Sequence, residues 1–238
     1  MRTALITGAA GGIGAAIARR LAADGYVTAL HCCTHLDRAQ ALARELGGMA
    51  VQADLADLAE ISAMADRVLA DLGHVDVLVN NAGIAMSGLF TDISPADRRR
   101  LFDVDVLGTV ECTRALLPGM IRRQSGCIVN ISSMWGQVGA SCEVDYSTAK
   151  AALIGFTKAL AQEVAPSGIR VNAIAPGVIR TPMLDVYSED DLAALANETP
   201  LGRLGTPEDI AGAAAFLCSA DAAFVTGQVL GVNGGFVI

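Results

Sequence analysis

The sequence predicts an α/β protein, a doubly wound parallel sheet of about seven strands flanked by helices on both faces. Three observations lead there. Short β-branched and apolar runs recur along the chain, at residues 4–6, 27–30, 50–51, 75–79, 127–131 and 169–174, each of a length and composition that suits a buried strand. Between the early runs, Ile13, Ile17 and Leu21 repeat at four-residue spacing, and Leu58, Ile61, Ala65, Val68 and Leu72 at three or four. Both patterns are the stripe of an amphipathic helix, and strand–helix alternation implies a parallel sheet. Finally, the 238 residues are 53% hydrophobic and 18% charged, with 25 glycines, which suits a sheet buried on both faces and joined by tight turns.

No repeat, low-complexity stretch or linker interrupts the pattern, so one domain over 1–238 is expected, long enough to bury a sizeable core. The net charge of −8 argues against sequence-independent binding to nucleic acid or an anionic membrane, both of which need basic surface. The N-terminal run enters a glycine turn without a cleavage-site pattern, and no apolar stretch approaches the roughly 18 residues that cross a bilayer. A cytoplasmic protein is expected. Cys32, Cys33, Cys112, Cys127, Cys142 and Cys218 show no metal-ligand spacing and read as reduced residues; no metal site is expected.

The first loop, Thr7-Gly8-Ala-Ala-Gly11-Gly12-Ile13-Gly14, joins the first strand to the first helix. Its glycines permit a sharp turn and a close approach to a ligand, and the helix start behind them offers free amides to a phosphate. That placement points to a dinucleotide. Farther on, Ser133 follows the apolar run that ends at Ile131, where the crevice of an open α/β sheet lies. In Tyr146-Ser-Thr-Ala-Lys150 the phenol and the ammonium fall one helical turn apart on a common face. A cation there is expected to pull the tyrosine pKa down from about 10, toward acid–base work at neutral pH. By itself the pair reads first as a helix surface contact; its company changes that reading.

Over its whole length the chain resembles the short-chain dehydrogenase/reductases. The motifs that carry the resemblance are Thr7-Gly8 with Gly12 and Gly14, Asp54-Leu55, Asn80-Asn81-Ala82-Gly83, Ser133, Tyr146 with Lys150, Pro176-Gly177 with Thr181, and Asn233-Gly-Gly235. The resemblance implies a Rossmann-type sheet, a nicotinamide cofactor, and a homodimer or homotetramer. It places Gly8, Gly12, Ile13 and Gly14 at the pyrophosphate, Asp54 and Leu55 at the adenine, and Asn81, Ala82 and Gly83 along the cofactor. Pro176, Gly177, Ile179 and Thr181 border the nicotinamide. It makes Tyr146 the proton donor to a carbonyl, with Lys150 lowering its pKa and bonding the ribose, and Ser133 fixing the carbonyl oxygen. Asn80 and Asn81 read equally well as ties between loops.

Three departures stand out. Cys32 stands where an NAD enzyme of this kind places a carboxylate for the ribose; the candidates for a 2′-phosphate nearby are His31, His35 and Arg38, so NADPH is favoured over NADH. Gly11 occupies a position where the family often has a basic residue. The family's helix asparagine is Asp105 in Val104-Asp105-Val-Leu-Gly108. Its main-chain carbonyl can serve the family's water relay to the lysine, and its carboxylate can pair with Lys150. The relay survives with a shifted pH optimum, or activity is weak.

For the substrate, a ketone either free or carried on a protein, the general resemblance is to 3-oxoacyl-carrier-protein reductases. Where those show arginine for an acidic carrier, this chain has Gln124 and Ser167, with Arg122, Arg123 and Arg170 nearby. A closer resemblance, in Trp135-Gly-x-x-Gly139-Ala-Ser-Cys-Glu143-Val-x-Tyr146 and the C-terminal segment, is to the reductases that act on a 5-aminopentanone group of elongation factor P. Trp135, Glu143 and Met183 are the expected substrate residues, Glu143 reading either as the partner of a substrate ammonium or as a helix cap. An acidic segment near 181–200 is expected as a lid, or equally as a surface helix. The alternative of another class is a dinucleotide-binding sensor without chemistry. The apolar C-terminus, residues 224–238, suits a subunit interface.

Overall fold

The structure, a computed structural model, describes residues 1–185 and 187–238. Its strands and helices alternate as follows: β1 Arg2–Ile6, α1 Gly12–Ala23, β2 Tyr26–Cys32, α2 Leu36–Leu46, β3 Met49–Gln52, α3 Leu58–Leu72, β4 Val77–Asn80, α4 Pro95–Phe102, α5 Thr109–Arg123, β5 Gly126–Ile131, α6 Trp135–Val138, α7 Val144–Val164, β6 Ile169–Pro176, α8 Glu189–Glu198, α9 Pro207–Cys218 and β7 Val229–Val232. A π-helical turn, Asp103–Gly108, joins α4 to α5. The seven strands form one sheet in the order β3-β2-β1-β4-β5-β6-β7, and every pairing is parallel.

Alternating side chains explain why the strands read as unbroken apolar runs. Ala4 and Ile6 of β1 face a core shared with Ile17 and Leu21 of α1, Leu42 of α2 and Ile210 and Leu217 of α9. Leu5 faces the other side, with Ile61 and Val68 of α3, Leu116 of α5 and Val164 of α7. A parallel strand buried on both faces has no solvent side to make polar. Helix starts are fixed by short polar side chains: the Asp57 carboxylate accepts from the amides of Ala59 and Glu60 at α3, and Ser94, followed by Pro95, accepts from the Asp97 amide at α4.

The chain winds from β1 outward to β3, then returns to β4 on the opposite side of β1. The loops after β1 and β4 therefore diverge, and the gap between them is the switch point where open α/β sheets bind ligands. The C-terminal apolar stretch contributes β7, whose Val229 pairs in register with Ala173 of β6. Beyond it Phe236 meets Trp135 edge to face, with centroids 5.7 Å apart. Phe224 and Ile238 remain fully exposed. Among the described residues no helix is long and apolar enough to cross a membrane.

Candidate active site

The two loops at the switch point are laced together by side chains. Thr7 Oγ1 accepts from the amides of Asn81 and Ala82, both at 2.9 Å, and Asn81 Nδ2 returns a bond to Thr7 O at 2.9 Å. This leaves no room behind the glycine turn: a Cβ on Gly14 would collide with the Gly8 carbonyl oxygen and stand 2.6 Å from Asn81 Nδ2. Helix α1 starts just there with no side-chain cap and no acid in its first turn. Its leading amides and positive end therefore point at the space a pyrophosphate would fill, and the residues present fit a dinucleotide. Thr181, from the loop after β6, closes the cradle, its Cγ2 lying 3.4 Å from where a Gly12 Cβ would be. Gly177 is fixed by its amide to Val232 O at 3.0 Å, and the Ile179 side chain is buried in the core on the α1 side.

Asn80 does not join this loop lacing. Its Nδ2 donates to Thr113 Oγ1 at 3.0 Å and to Asn130 Oδ1 at 2.8 Å, and Asn130 Nδ2 continues to Thr157 Oγ1 at 2.8 Å. This buried polar ladder ties β4, β5, α5 and α7 beneath the crevice. Sequence reasoning missed Asn130 and Thr157. The signal was an asparagine inside an apolar strand, which needs a buried partner.

At the other side of the crevice, α7 carries Tyr146 and Lys150 on one face, with Lys150 Nζ 5.5 Å from the Tyr146 ring centroid. Helix α7 is held in place by Ser132, whose hydroxyl donates to Lys150 O at 2.8 Å, and by the ion pair of Arg98 with Asp145 at 2.9 Å. Ser133 follows β5 and accepts from the Trp135 amide at 3.1 Å. Its hydroxyl lies beside the Tyr146 phenol. Lys150 is buried and pairs with the fully buried Asp105 carboxylate at 2.9 Å; Asp105 also accepts from the Ile84 amide at 2.8 Å.

This geometry corrects the expected tuning of the tyrosine. Burial raises the Tyr146 pKa above its ordinary value; Lys150 and the Ser133 hydroxyl lower it, while the Asp105 and Glu143 carboxylates raise it, leaving it raised overall. The lysine also departs from its ordinary value. Burial opposes its charge, but Asp105, and then Tyr146, hold its pKa above the usual range.

Several other expectations are corrected. Cys32 is not open to the crevice: it is buried, its Sγ donating toward Val51 O at 3.8 Å, since β2 is covered on both faces. The exposed residues at that edge are Cys33, Thr34 and His35. His31 is equally unavailable to a phosphate. It is 1% exposed, its Nδ1 accepts from the Gly8 amide at 3.2 Å and its Nε2 meets Ala53 O at 2.9 Å. Donation to a carbonyl makes the neutral Nε2–H tautomer the one present. Asp54 has one carboxylate oxygen on Arg100 at 2.8 Å and the other on the Ala56 amide at 2.9 Å; Arg100 lowers its pKa. Leu55 beside it is buried. Arg122 and Arg123 end α5, and Arg170 lies at the start of β6, six residues and roughly 20 Å from the strand's C-terminal end. They sit at the opposite edge of the sheet from the crevice, where Arg123 bonds Val75 O and Arg170 reaches toward Val225 O.

Glu143 is the residue before α7, yet its side chain makes no capping bond, and it forms no ion pair among the described residues. Burial raises its pKa. Met183 is 52% exposed in the turn after Thr181. Helix α8 begins with a reciprocal Ser188–Asp191 capping box; none of its residues is fully buried, but Leu192, Leu195 and Ala196 are half-buried along one face while its acidic residues are exposed. Val186, within the expected lid, lies outside the described residues. All six cysteines are free, with Cys33 and Cys142 exposed, and no group that could hold a metal ion occurs among the described residues.

A crevice with a dinucleotide cradle on one wall and a serine, a tyrosine and a lysine on the other defines a class, the dinucleotide-dependent oxidoreductases. The profile of a family described as enoyl-(acyl carrier protein) reductase matches residues 8–237. An uncharacterized oxidoreductase of Bacillus subtilis, YmfI, is 47% identical over 99% of this chain and 98% of its own length. Nodulation protein G of Rhizobium sp. strain N33 is 43% identical over 100% and 97%, and the 3-oxoacyl-[acyl-carrier-protein] reductase FabG of Staphylococcus aureus 39% over 98% and 97%. The chain belongs to the short-chain dehydrogenase/reductase family, and that membership implies a nicotinamide dinucleotide cofactor.

Proposed function

We propose that the chain reduces a ketone to an alcohol with NADPH, Tyr146 acting as general acid. The observation that supports this is the convergence of Ser133, Tyr146 and Lys150 beside the glycine cradle. The reduced nicotinamide, when bound, supplies the hydride. The chain's own residues do the rest: Ser133 orients the carbonyl oxygen, Tyr146 O–H gives it a proton, and Lys150 is placed to bond the ribose. A tyrosine whose pKa is raised stays a phenol at neutral pH, which suits a proton donor.

The ketone proposed is the 5-aminopentanone group on a lysine of elongation factor P. Glu143 supports it, a half-buried carboxylate beside Tyr146 with neither a cap nor a cation to satisfy it, and a substrate ammonium would repay its desolvation. Asp185, Glu189, Asp190 and Asp191, exposed on the segment after Thr181, add negative potential that suits a cationic partner. This segment, near 181–200, is proposed as the lid. The second reading is a 3-oxoacyl-carrier-protein reductase, favoured by the likeness to FabG. Against it, Arg122, Arg123 and Arg170 lie at the far edge from this chain's own site.

The preference for NADPH rests on Arg38. It lines a groove of about 570 Å³ that runs on from Gly11 and Gly12 and also holds Arg180. Neither arginine has a carboxylate partner among the described residues, and the space beside Gly11 is open. A homotetramer or homodimer in the cytoplasm completes the proposal, supported by the exposed Phe216, Phe224, Leu230 and Ile238.

The test is nicotinamide oxidation with two substrates in parallel, an acetoacetyl thioester and elongation factor P bearing the aminopentanone lysine. The proposal expects turnover of the protein substrate, and a Glu143→Gln variant that raises KM for the amino ketone about tenfold, the worth of one charge-assisted bond, while sparing a neutral ketone. Turnover of the thioester alone establishes the second reading.

A further inference from the structure

The Asp105 carboxylate is committed to a single cation. It is fully buried; one oxygen is held by the Ile84 amide at 2.8 Å. The other lies 2.9 Å from Lys150 Nζ and has no hydrogen-bond partner besides that ammonium. The pair sits directly beneath Gly83, where a Cβ would stand 2.7 Å from the carboxylate and 3.0 Å from the ammonium. Only a residue without a side chain lets the loop after β4 lie over an ion pair at this spot. The π-helical turn Asp103–Gly108 presents Asp105 to it, a kind of helical irregularity that recurs at functional sites.

Among the described residues the charges that face Tyr146 are three: Lys150 from its own helix, Asp105 from the π-helical turn and Glu143 from the loop before α7, with the neutral Ser133 hydroxyl completing the ring. Without Asp105, only burial and Glu143 would oppose the pull of the buried ammonium toward phenolate. With it, the ammonium is already matched by a carboxylate at contact distance, and the net charge near the phenol is no longer positive.

We propose that Asp105 is a positioning residue that fixes Lys150 and offsets its charge, so that Tyr146 is kept as a phenol and the site is poised for carbonyl reduction rather than alcohol oxidation. The inference rests on Tyr146 being the proton donor. In reduction, hydride from the reduced nicotinamide forms a C–H bond at the carbonyl carbon as the C=O π bond opens. The oxygen takes the Tyr146 proton, and solvent later returns one to the phenolate. Oxidation needs the phenolate at the outset, to accept the alcohol proton as hydride leaves carbon for the oxidised nicotinamide. A site that holds the phenol does the first step over a wide pH range and the second only in alkali.

The experiment is a spectroscopic titration of tyrosine ionisation in the ultraviolet, on the full chain without ketone or cofactor. Of the three tyrosines, Tyr26, Tyr146 and Tyr187, the Tyr146 signal is isolated by subtracting a Tyr146→Phe titration in each background. Asp105→Asn keeps the shape and the acceptor for the Ile84 amide while removing the charge. It is expected to move Tyr146 ionisation down by about one pH unit or more, the shift a nearby charge produces. Asp105→Ser, smaller and also uncharged, should move it the same way, so that misfolding of one variant does not decide the result. The alkaline limb of alcohol oxidation should descend with it. Tyr146 ionising at an unchanged or higher pH in both variants overturns the proposal. Absence of turnover with every ketone would instead remove the reaction while leaving the titration result standing.

Discussion

Replacing His31 by leucine tests how the cofactor loop is held. The imidazole bridges two loops, accepting from the Gly8 amide and donating to Ala53 O within a 1% exposed site. Leucine fills the volume but leaves both backbone groups unpaired, the Ala53 carbonyl buried and the Gly8 amide partly so, at about 1–3 kcal/mol for the first and less for the second, or about 1–4 kcal/mol together. Against a total of about 5–15 kcal/mol for a typical domain, that is a large share. The pH dependence sharpens the test. Burial lowers the His31 pKa, while the Ala53 carbonyl and Asp54 oppose that only in part, so the unfolded chain takes up a proton before the native one does. The histidine's contribution is therefore complete above the unfolded value of about 6.5 and is lost as pH falls below it toward the depressed native value. Urea unfolding at about pH 7.5 and about pH 5.5, on either side of that value, should show the variant destabilised at the higher pH, with a smaller gap from the wild type at the lower. A loss under about 0.5 kcal/mol, within the range of ordinary surface changes, or a gap that does not narrow in acid, would refute the bridging role.

Other perturbations follow from the same geometry. Gly14→Ala drives a methyl into the Gly8 carbonyl and the Asn81 amide, and should abolish dinucleotide binding by calorimetry; affinity within a few-fold of wild type would contradict the cradle. Asn130→Ala removes one buried hydrogen bond each from Asn80, which keeps Thr113, and from Thr157, which keeps Leu153 O, and should lower unfolding stability by about 1–3 kcal/mol, the worth of two buried hydrogen bonds; a near-neutral effect would mean that the ladder is not structural. Arg38→Ala should weaken NADPH about tenfold or more, as loss of a charge-assisted contact does, with NADH unaffected; equal effects on both would remove the 2′-phosphate contact.

The sheet was legible because both faces are buried, so each strand shows as an apolar run, and the cradle was legible because its glycines fall between a buried strand and an amphipathic helix. The shared helix face of Tyr146 and Lys150 followed from their spacing, and their catalytic reading from the motifs around them. What spacing cannot carry is the charge environment. The lysine was expected to depress the tyrosine pKa, and the outcome was reversed by burial together with Asp105, which reaches the lysine from a separate element, and by Glu143. His31 and Cys32 were misread for a related reason: adjacent to each other on β2, both are enclosed, His31 by the loops after β1 and β3, and no local pattern announces that closure. Glu143 was open between cap and ligand, and only side-chain geometry showed that no cap is made. The tail after residue 224 read as an interface, whereas part of it completes the sheet as β7.

The most direct measurement of the central claim is loss of reduced-nicotinamide absorbance with elongation factor P bearing the aminopentanone lysine, followed for the wild type and Tyr146→Phe side by side. The account predicts steady turnover by the wild type and a fall of about 10²–10⁴-fold in the variant, the worth of a positioned general acid, with dinucleotide affinity preserved. Undiminished turnover in the phenylalanine variant, or no NADPH consumption by the wild type, would contradict it.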